Sequence, residues 1–135
     1  MTSTDTSTDT STRDERPLSA TIAGYFACWN TVDTAERRRL VEATWTPEAR
    51  NVDPVVDATG HDGLTAMFTG FHETYAGHFF RPLGGADEHH GIARWGWEMV
   101  GPDGDVVLDG IDVAMIVDGR ISNLVGFFGA GLPDG

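Results

Sequence analysis

Residues 87–128 read DEHHGIARWGWEMVGPDGDVVLDGIDVAMIVDGRISNLVGFF, and this stretch decides the fold of the chain. Apolar and polar residues alternate along most of it, which is the period of a β-strand with one buried face. Turn sequences interrupt the alternation at residues 101–104 and again at Asp118-Gly119, where an Asp-Gly pair is typical of a tight β-hairpin. We therefore predict three consecutive strands, over about residues 87–100, 105–117 and 121–128.

The chain before residue 77 shows helical periodicity for much of its length. A first helix begins at Pro17, and its apolar stripe is Leu18, Ile22, Tyr25, Phe26 and Trp29. Asp33 and Glu36 have the spacing of a capping box and predict the start of a second helix. This helix is expected to point Arg37, Arg38 and Arg39 outward and Leu40, Val41 and Trp45 inward. It should end at Thr46-Pro47, since proline disfavours helical geometry in the preceding residue.

The remaining segments complete a mixed architecture. We predict a strand over residues 49–58, a third helix after Gly60 and a short strand over residues 78–82. The apolar stripe of the third helix is Leu64, Met67, Phe68, Phe71 and Tyr75. Helices followed by long antiparallel strands predict an α+β fold, in which a cone-shaped, curved antiparallel sheet packs on three N-terminal helices. Such a sheet encloses a space lined by its inner face and by the helix stripes.

The two ends of the chain differ from this body in composition. Residues 1–16 are rich in Ser, Thr and Asp, and they cannot bury enough apolar surface to offset the entropy of ordering. We expect a disordered tail there, a single domain over residues 17–130 and a short C-terminal tail over residues 131–135. Because the sequence has no secretory leader and no apolar stretch of membrane-spanning length, we expect a cytoplasmic protein with no membrane partner.

Composition excludes several classes of function. The formal net charge of −12 disfavours nucleic acid as a partner, because the body would repel phosphate. Lysine is absent, which removes Schiff-base and pyridoxal-phosphate chemistry. A single cysteine, Cys28, excludes internal disulfides and multi-cysteine zinc sites and is expected to be a small buried hydrophobe. The five histidines lack metal-ligand spacing, and no dinucleotide-binding or nucleophile-elbow motif occurs. We therefore expect no metal and no other cofactor.

Asp112 is the most informative single residue. Along the strand predicted over residues 105–117 it shares one face with apolar or small residues, namely Leu108, Gly110, Ala114 and Ile116. A carboxyl group in such surroundings is costly unless it is hydrogen-bonded, paired or protonated, and its pKa should be raised. Raised pKa values of this kind serve acid–base chemistry. The alternative is a structural aspartate at a strand end or at a bulge marked by Gly110.

Other residues could share a pocket with Asp112. Trp95, Trp97 and Met99 alternate along the strand predicted over residues 87–100 and should face inward, either as core or as pocket wall. Asp53 precedes Pro54, which holds it in an extended conformation. Tyr25 lies on the apolar stripe of the first helix, where a buried hydroxyl needs a partner.

Five segments, taken in order, carry a resemblance to a known family: AGYFACWNTVD (residues 23–33), NVDPVVDATG (51–60), DEHHGIARWGWEM (87–99), GIDVAMIVDGRI (110–121) and VGFFG (125–129). Together they resemble the SnoaL-like group of the nuclear transport factor 2-like superfamily, which includes ketosteroid isomerases and polyketide cyclases. The resemblance covers nearly the whole body of the chain and implies the same cone-shaped α+β fold.

The resemblance to ketosteroid isomerases implies roles for three residues. Asp53, in an Asp-Pro strand motif, matches the general base of those enzymes. Tyr25, eight residues before Asp33, matches an oxyanion-hole tyrosine. Asp112, in an Ile-Asp-Val motif, matches a second oxyanion-hole acid, which an apolar site keeps protonated. SnoaL-type polyketide cyclases imply instead that Asp112 is the base of an aldol closure.

The resemblance also implies a ligand, an apolar cyclic or polyketide-like ketone that the enzyme would enolise. The expected pocket wall is Trp95, Trp97, Met99, Phe68 and Phe128, with Trp45 near the mouth. Trp45 and Phe68 stand where the isomerases have two further tyrosines, and the R-x-D motif of limonene-epoxide hydrolases is absent from the candidate strands. We also expect a homodimer that associates through the outer sheet face, at Ile92, Ile111, Val113 and Met115. The alternative to an enzyme is a non-catalytic ligand-binding or dimerisation module.

Overall fold

The computed structural model describes residues 16–129. Its helices are α1 (Leu18–Asn30), α2 (Thr34–Thr44) and α3 (Gly60–Thr74). Its strands are β1 (Trp45–Val52), β2 (Asp57–Thr59), β3 (Phe79–His89), β4 (Ile92–Val100), β5 (Val106–Val117) and β6 (Arg120–Phe128). The six strands form one sheet in the order β2-β1-β6-β5-β4-β3. The predicted tails at residues 1–16 and 131–135 lie outside the described residues, apart from Arg16.

This architecture confirms the predicted α+β fold, with three helices packed on a curled sheet. Neighbouring strands are antiparallel except for β1 and β6, which pair in parallel. The core lies between the helices and the inner face of the sheet, and it is built from aromatic and aliphatic side chains of both layers. Within residues 16–129, no helix is long and apolar enough to cross a membrane.

Helix α2 starts as predicted but ends earlier. The Asp33 carboxylate accepts a hydrogen bond from the Glu36 amide at 2.8 Å, which caps the helix. The helix ends at Thr44, and Trp45 is the first residue of β1, so the prediction that the helix continues through Trp45 to Thr46-Pro47 was wrong. Strand pairing replaces the last predicted turn of the helix, because Trp45 pairs with Ile121 of β6.

Arg37 was predicted to point outward, and this was wrong. Its side chain is only 2% exposed. The guanidinium donates to the carbonyl oxygens of Thr31 and Val32, which follow α1, and to the Thr69 hydroxyl on α3. Carbonyl groups at a helix end lack partners within the helix, and the five N–H donors of one arginine satisfy several of them at once.

The strand predicted over residues 49–58 is divided into β1 and β2 by a turn. The Asp53 carboxylate accepts hydrogen bonds from the Val55 and Val56 amides at 2.8 and 2.9 Å, which stabilises the turn around Pro54. The two strands then pair with each other in antiparallel fashion. Asp53 therefore lies at the end of β1 and not in the middle of a strand.

The strand predicted over residues 87–100 is also divided, this time by a hairpin. Both His90 and Gly91 have positive φ, at 54° and 77°, which is the geometry of a tight two-residue hairpin turn. The predicted short strand at residues 78–82 is therefore the start of the longer β3. The inward face predicted for Ala93 to Met99 is confirmed, as is the Asp118-Gly119 turn, where φ is 52° and 79°.

Strand β5 runs without a break through the region that carries Asp112. Gly110 pairs with Trp97 on β4 and with Phe128 on β6, so it does not mark the bulge considered as an alternative. A side chain at Gly110 would overlap the Trp97 indole. The glycine therefore makes room for that indole, which reaches along the inner face of the sheet toward Asp112.

Candidate functional site

A cavity of about 460 Å³ lies between the inner face of the sheet and helices α1 and α3. Most of its lining is apolar, including Trp29, Val56, Met67, Phe71, Phe80, Trp97, Met99, Leu108, Leu124 and Phe128. Its polar lining residues include Tyr25, Asn51, Asp53 and Asp112, and none of the arginines and histidines in the described part of the chain lines it. The size and the few polar groups are typical of a site for a small organic molecule.

Asp112 is the most deeply buried carboxyl group of this cavity, at 2% exposure. The Tyr25 hydroxyl lies 2.6 Å from its Oδ2, and the Trp97 indole nitrogen donates to its Oδ1 at 3.1 Å. These three side chains come from α1, β4 and β5. The carboxyl group is therefore hydrogen-bonded on both oxygens, as a buried carboxyl group must be.

Burial raises the pKa of Asp112 from an ordinary value of 3.8 to about 7. The hydrogen bonds from Tyr25 and Trp97 oppose this rise, because they stabilise the ionised form, and the nearby charge of Asp53 adds to it. Burial and the Asp112 carboxylate also raise the pKa of Tyr25 well above its ordinary value, so its hydroxyl keeps its proton. Near neutral pH, Asp112 thus has access to both of its protonation states.

The position of the proton on Asp112 controls what Tyr25 offers to the cavity. Since the Trp97 indole can only donate, Oδ1 is an acceptor in both states and the acid proton belongs on Oδ2. When Asp112 is protonated, it can donate to the Tyr25 oxygen and leave the Tyr25 proton free for a ligand. When Asp112 is ionised, the Tyr25 hydroxyl donates to Oδ2 instead.

Asp53 lies at the same wall of the cavity. A Cβ atom built on Gly126 would be 2.9 Å from Asp112 Oδ1 and 3.3 Å from Asp53 Cβ. The side chains of Asp53 and Asp112 thus flank one glycine, which has no side chain to separate them. Oδ1 of Asp53 is held by the Val55 and Val56 amides. No residue within 16–129 donates a hydrogen bond to its Oδ2 in this structure. The structure therefore brings Tyr25, Asp53 and Asp112 to one cavity.

Only half of the expected apolar wall lines that cavity. Trp97, Met99 and Phe128 do so, whereas Trp95, Phe68 and Trp45 lie in the core behind it. Trp45 was expected near the mouth, but it is completely buried. Its ring packs on Tyr25 and Phe68, at centroid distances of 6.1 and 6.3 Å, because β1 begins beneath the helices. Trp45 and Trp95 therefore support Tyr25 from behind, where Trp95 lies 5.3 Å from its ring.

Asn51 and Met67 are among the lining residues that were not predicted for the pocket wall. Asn51 lies on β1 two positions before Asp53, which follows Val52, the last residue of the strand, and both residues line the cavity. The alternation of Asn51 with Asp53 in the sequence was the available signal. Met67 was recognised only as part of the apolar stripe of α3, and its contact with Asn51 depends on how α3 packs on the sheet.

Neither cysteine nor metal chemistry finds support in the described geometry. Burial raises the pKa of the Cys28 thiol to about 12, so it remains a protonated, buried side chain, as predicted. Within residues 16–129, no three His, Cys, Asp or Glu side chains lie close enough together to hold a metal ion.

Comparison with protein families identifies one family for this chain. The family model of the SnoaL-like domain matches residues 22–124, which include Tyr25, Asp53 and Asp112. No curated protein matches the chain.

Solved structures extend the comparison. A candidate isomerase of the SnoaL-like family from Agrobacterium tumefaciens strain C58 is 35% identical, with a TM-score of 0.80 over 84% of this chain and 97% of the other. A candidate ketosteroid isomerase from Kribbella flavida DSM 17836 is 17% identical, with a TM-score of 0.63 over 87% and 82% of the two chains. A candidate SnoaL-like polyketide cyclase from Jannaschia sp. CCS1 is 14% identical, with a TM-score of 0.63 over 86% and 90%. The last two show similarity of fold alone.

Proposed function

Because this chain belongs to the SnoaL-like family, we propose that it is a cofactor-independent enzyme that enolises a ketone in its apolar cavity. The substrate would be cyclic or polyketide-like, and the enolate would lead to isomerisation or to ring closure. The observation that carries this proposal is the buried Asp112 carboxyl group, bonded to Tyr25 at 2.6 Å in the wall of an apolar cavity. Such a pair can stabilise the negative charge that develops on a carbonyl oxygen.

In the proposed mechanism, the ketone oxygen accepts a hydrogen bond from Tyr25 while protonated Asp112 donates to the Tyr25 oxygen. Oδ2 of Asp53 takes a proton from the carbon next to the carbonyl group; the electron pair of that C–H bond forms the C=C bond of the enolate, and the π pair of the carbonyl group moves onto the oxygen. Return of the proton to another carbon gives an isomer. Attack of the enolate carbon on a second carbonyl group of the same molecule gives a ring instead. The variant with exchanged roles makes ionised Asp112 the base.

The charge of the lining indicates what kind of ketone is accepted. Within residues 16–129 the lining includes two aspartates and no basic side chain, and the chain has no lysine at all. A phosphate or carboxylate on the substrate would find no cation there and would face two carboxyl groups. The proposed substrate therefore carries no anionic group, and the mostly apolar lining favours a neutral molecule.

Proton exchange tests this function directly. Cyclic and polyketide-like ketones are incubated with the protein in D₂O, and deuterium at the α-carbon is followed by mass spectrometry. We expect enzyme-dependent exchange for at least one neutral ketone and slower exchange for its carboxylated analogue. Ketones that bind without any exchange would contradict enolisation and favour the non-catalytic ligand-binding module. Heat-inactivated protein provides the background rate.

We further propose that the protein is a homodimer formed through the outer face of the sheet. Met115, Val125 and Phe127 on this face are 51%, 42% and 57% exposed, and apolar surface of this kind is commonly buried against a partner. Light scattering should give twice the 14.6 kDa mass of one chain. Val125→Glu should reduce the mass to that of a monomer, whereas Val32→Glu, at an exposed position before α2, should not. A wild-type monomer would overturn this proposal.

A further inference from the structure

Asn51 is a buried polar residue in the cavity wall whose hydrogen bonds are largely unmet by the protein. Its side chain is 1% exposed. Its Oδ1 has no hydrogen-bond partner within residues 16–129, and its Nδ2 contacts only the Met67 thioether sulfur, at 3.4 Å. A thioether is a weak acceptor, so an amide with two donors and one acceptor makes one weak contact.

Such a residue lowers the stability of the folded protein, so stability does not explain its presence. A buried polar group without partners destabilises the folded state, whereas an apolar side chain of similar shape would not. The neighbours of Asn51 on the sheet are apolar, namely Leu124 on β6 and Ala58 on β2. Since the surrounding protein atoms supply so few partners, the cavity is the remaining side from which partners could come.

Met67 lies directly beside this amide. It lines the same cavity and is partly buried, and its sulfur occupies a position beside Nδ2. A methionine side chain is unbranched and has three rotatable bonds, so it can move aside at low cost. A ligand oxygen that replaces the sulfur would be a much better partner for the amide.

We propose that Asn51 binds a second oxygen function of the substrate, at the end remote from the reacting carbonyl group. The substrate class is thereby narrowed to neutral molecules with two oxygen functions on one apolar body, the remote one a hydroxyl or a carbonyl. Asn51 is a specificity-determining residue in this arrangement. The inference rests on the proposed function, because it assumes that the other end of the ligand meets Tyr25 and Asp112.

The strand register sets the spacing between the two ends. Asn51 pairs with Leu124 and Asp112 pairs with Gly126, on opposite sides of β6 and two residues apart along it. Strand separations of about 4.8 Å and a rise of about 3.3 Å per residue then put their Cα atoms roughly 12 Å apart. Both side chains point into one cavity, so the ligand oxygens would lie closer together than this, on opposite ends of a body of two or three rings.

Two matched pairs of phenols test the proposal, because an aromatic hydroxyl resembles an enol and needs no turnover. The pairs are 2-naphthol with 2,6-dihydroxynaphthalene, and 4-phenylphenol with 4,4′-dihydroxybiphenyl. Dissociation constants are measured by calorimetry for the wild type and for Asn51→Leu. In the wild type we expect the diol of at least one pair to bind about tenfold more tightly than its monohydroxy partner, the effect of one good hydrogen bond. In Asn51→Leu this preference should disappear, with the monohydroxy affinity retained.

Thermal stability provides a second readout, in which Asn51→Leu should produce a gain while it produces a loss in diol binding. If Asn51 serves a ligand, Asn51→Leu should raise the melting temperature of the ligand-free protein by about 3 to 5 °C, since it removes an unpaired polar group. A merely structural asparagine would give a lower melting temperature instead. If leucine proves too large, both measurements are repeated with Asn51→Val, because valine is smaller than leucine and is common in strands. Asn123→Leu, the same change at an exposed position of β6, should leave the diol preference unchanged.

The outcomes separate the two levels of inference. Phenols that bind with a diol preference unaffected by both Asn51 variants would overturn the role of Asn51 and leave the proposed function standing. Absence of a diol preference in the wild type would do the same. If no phenol of either kind binds, the Tyr25–Asp112 end of the site fails, and the role of Asn51 fails with it.

Discussion

Asp53→Asn is expected to slow deuterium exchange at the α-carbon of a ketone substrate by about 10³-fold, within the range measured for removal of a general base. An amide cannot accept the proton, but its oxygen can still accept the hydrogen bonds that the Val55 and Val56 amides donate to Oδ1. The turn around Pro54 should therefore persist, and the loss should appear in turnover more than in stability. Exchange rates at saturating ketone and melting temperatures of both proteins provide the two measurements.

The matched control for this change is Asp57→Asn. Asp57 lies four positions further along the chain, is exposed and forms an ion pair with Arg50 at 2.7 Å outside the cavity. Its loss removes the same charge, so exchange should change by less than about twofold, since exposed ion pairs contribute little. If Asp53→Asn retains exchange and Asp112→Asn abolishes it, then the base is Asp112 and the roles are exchanged.

The fold was predictable from the sequence where one face of a strand is buried along its whole length. The alternation from Ala93 to Met99 and the Asp118-Gly119 hairpin are examples, because local periodicity and tertiary burial coincide there. The His90-Gly91 turn was missed because histidine with positive φ is uncommon and the alternation continues through the turn in the sequence. Arg37 was misjudged because its partners, the carbonyl groups after α1, are brought to it only by helix packing.

For the site, the sequence predicted the key residue Asp112 but not its contacts or which aromatic residues line the cavity. The cost of an aspartate among apolar residues pointed to Asp112 from one strand alone. Its contacts with Tyr25 and Trp97 join residues 87 and 15 positions apart, and no local pattern encodes such pairs. The aromatic residues behind the cavity could not be separated from those that line it, because both groups follow the same inward periodicity. Strand curvature and helix placement decide that Trp97 faces the cavity and Trp95 the core.

Asp112→Asn is expected to change the pH dependence of stability, in the direction set by the raised pKa of Asp112, about 7 against an ordinary value of 3.8. Between these two values the folded protein retains a proton that the unfolded chain releases. The stabilisation is complete below about pH 4 and is lost as the pH rises to about 7. Between pH 5 and pH 8 the wild type should therefore lose roughly 3 kcal/mol of unfolding free energy relative to the variant. Denaturant titrations of both proteins across this range measure the difference.

The asparagine is a suitable probe because it resembles the protonated acid. Its amide oxygen can accept from the Trp97 indole while its NH₂ group donates to the Tyr25 oxygen, which preserves both hydrogen bonds of the site. A difference in stability that stays constant from pH 5 to pH 8 would show that Asp112 does not titrate in this window. Tyr25→Phe supplies an internal check, since removing a hydrogen bond that favours the ionised form should raise the pKa of Asp112 further. The loss of unfolding free energy should then occur at a higher pH in Tyr25→Phe than in the wild type. In Asp112→Asn this pH-dependent loss should be absent. That pattern would mean that one proton, held between Asp112 and Tyr25, decides whether the cavity offers a ligand oxygen a hydrogen-bond donor.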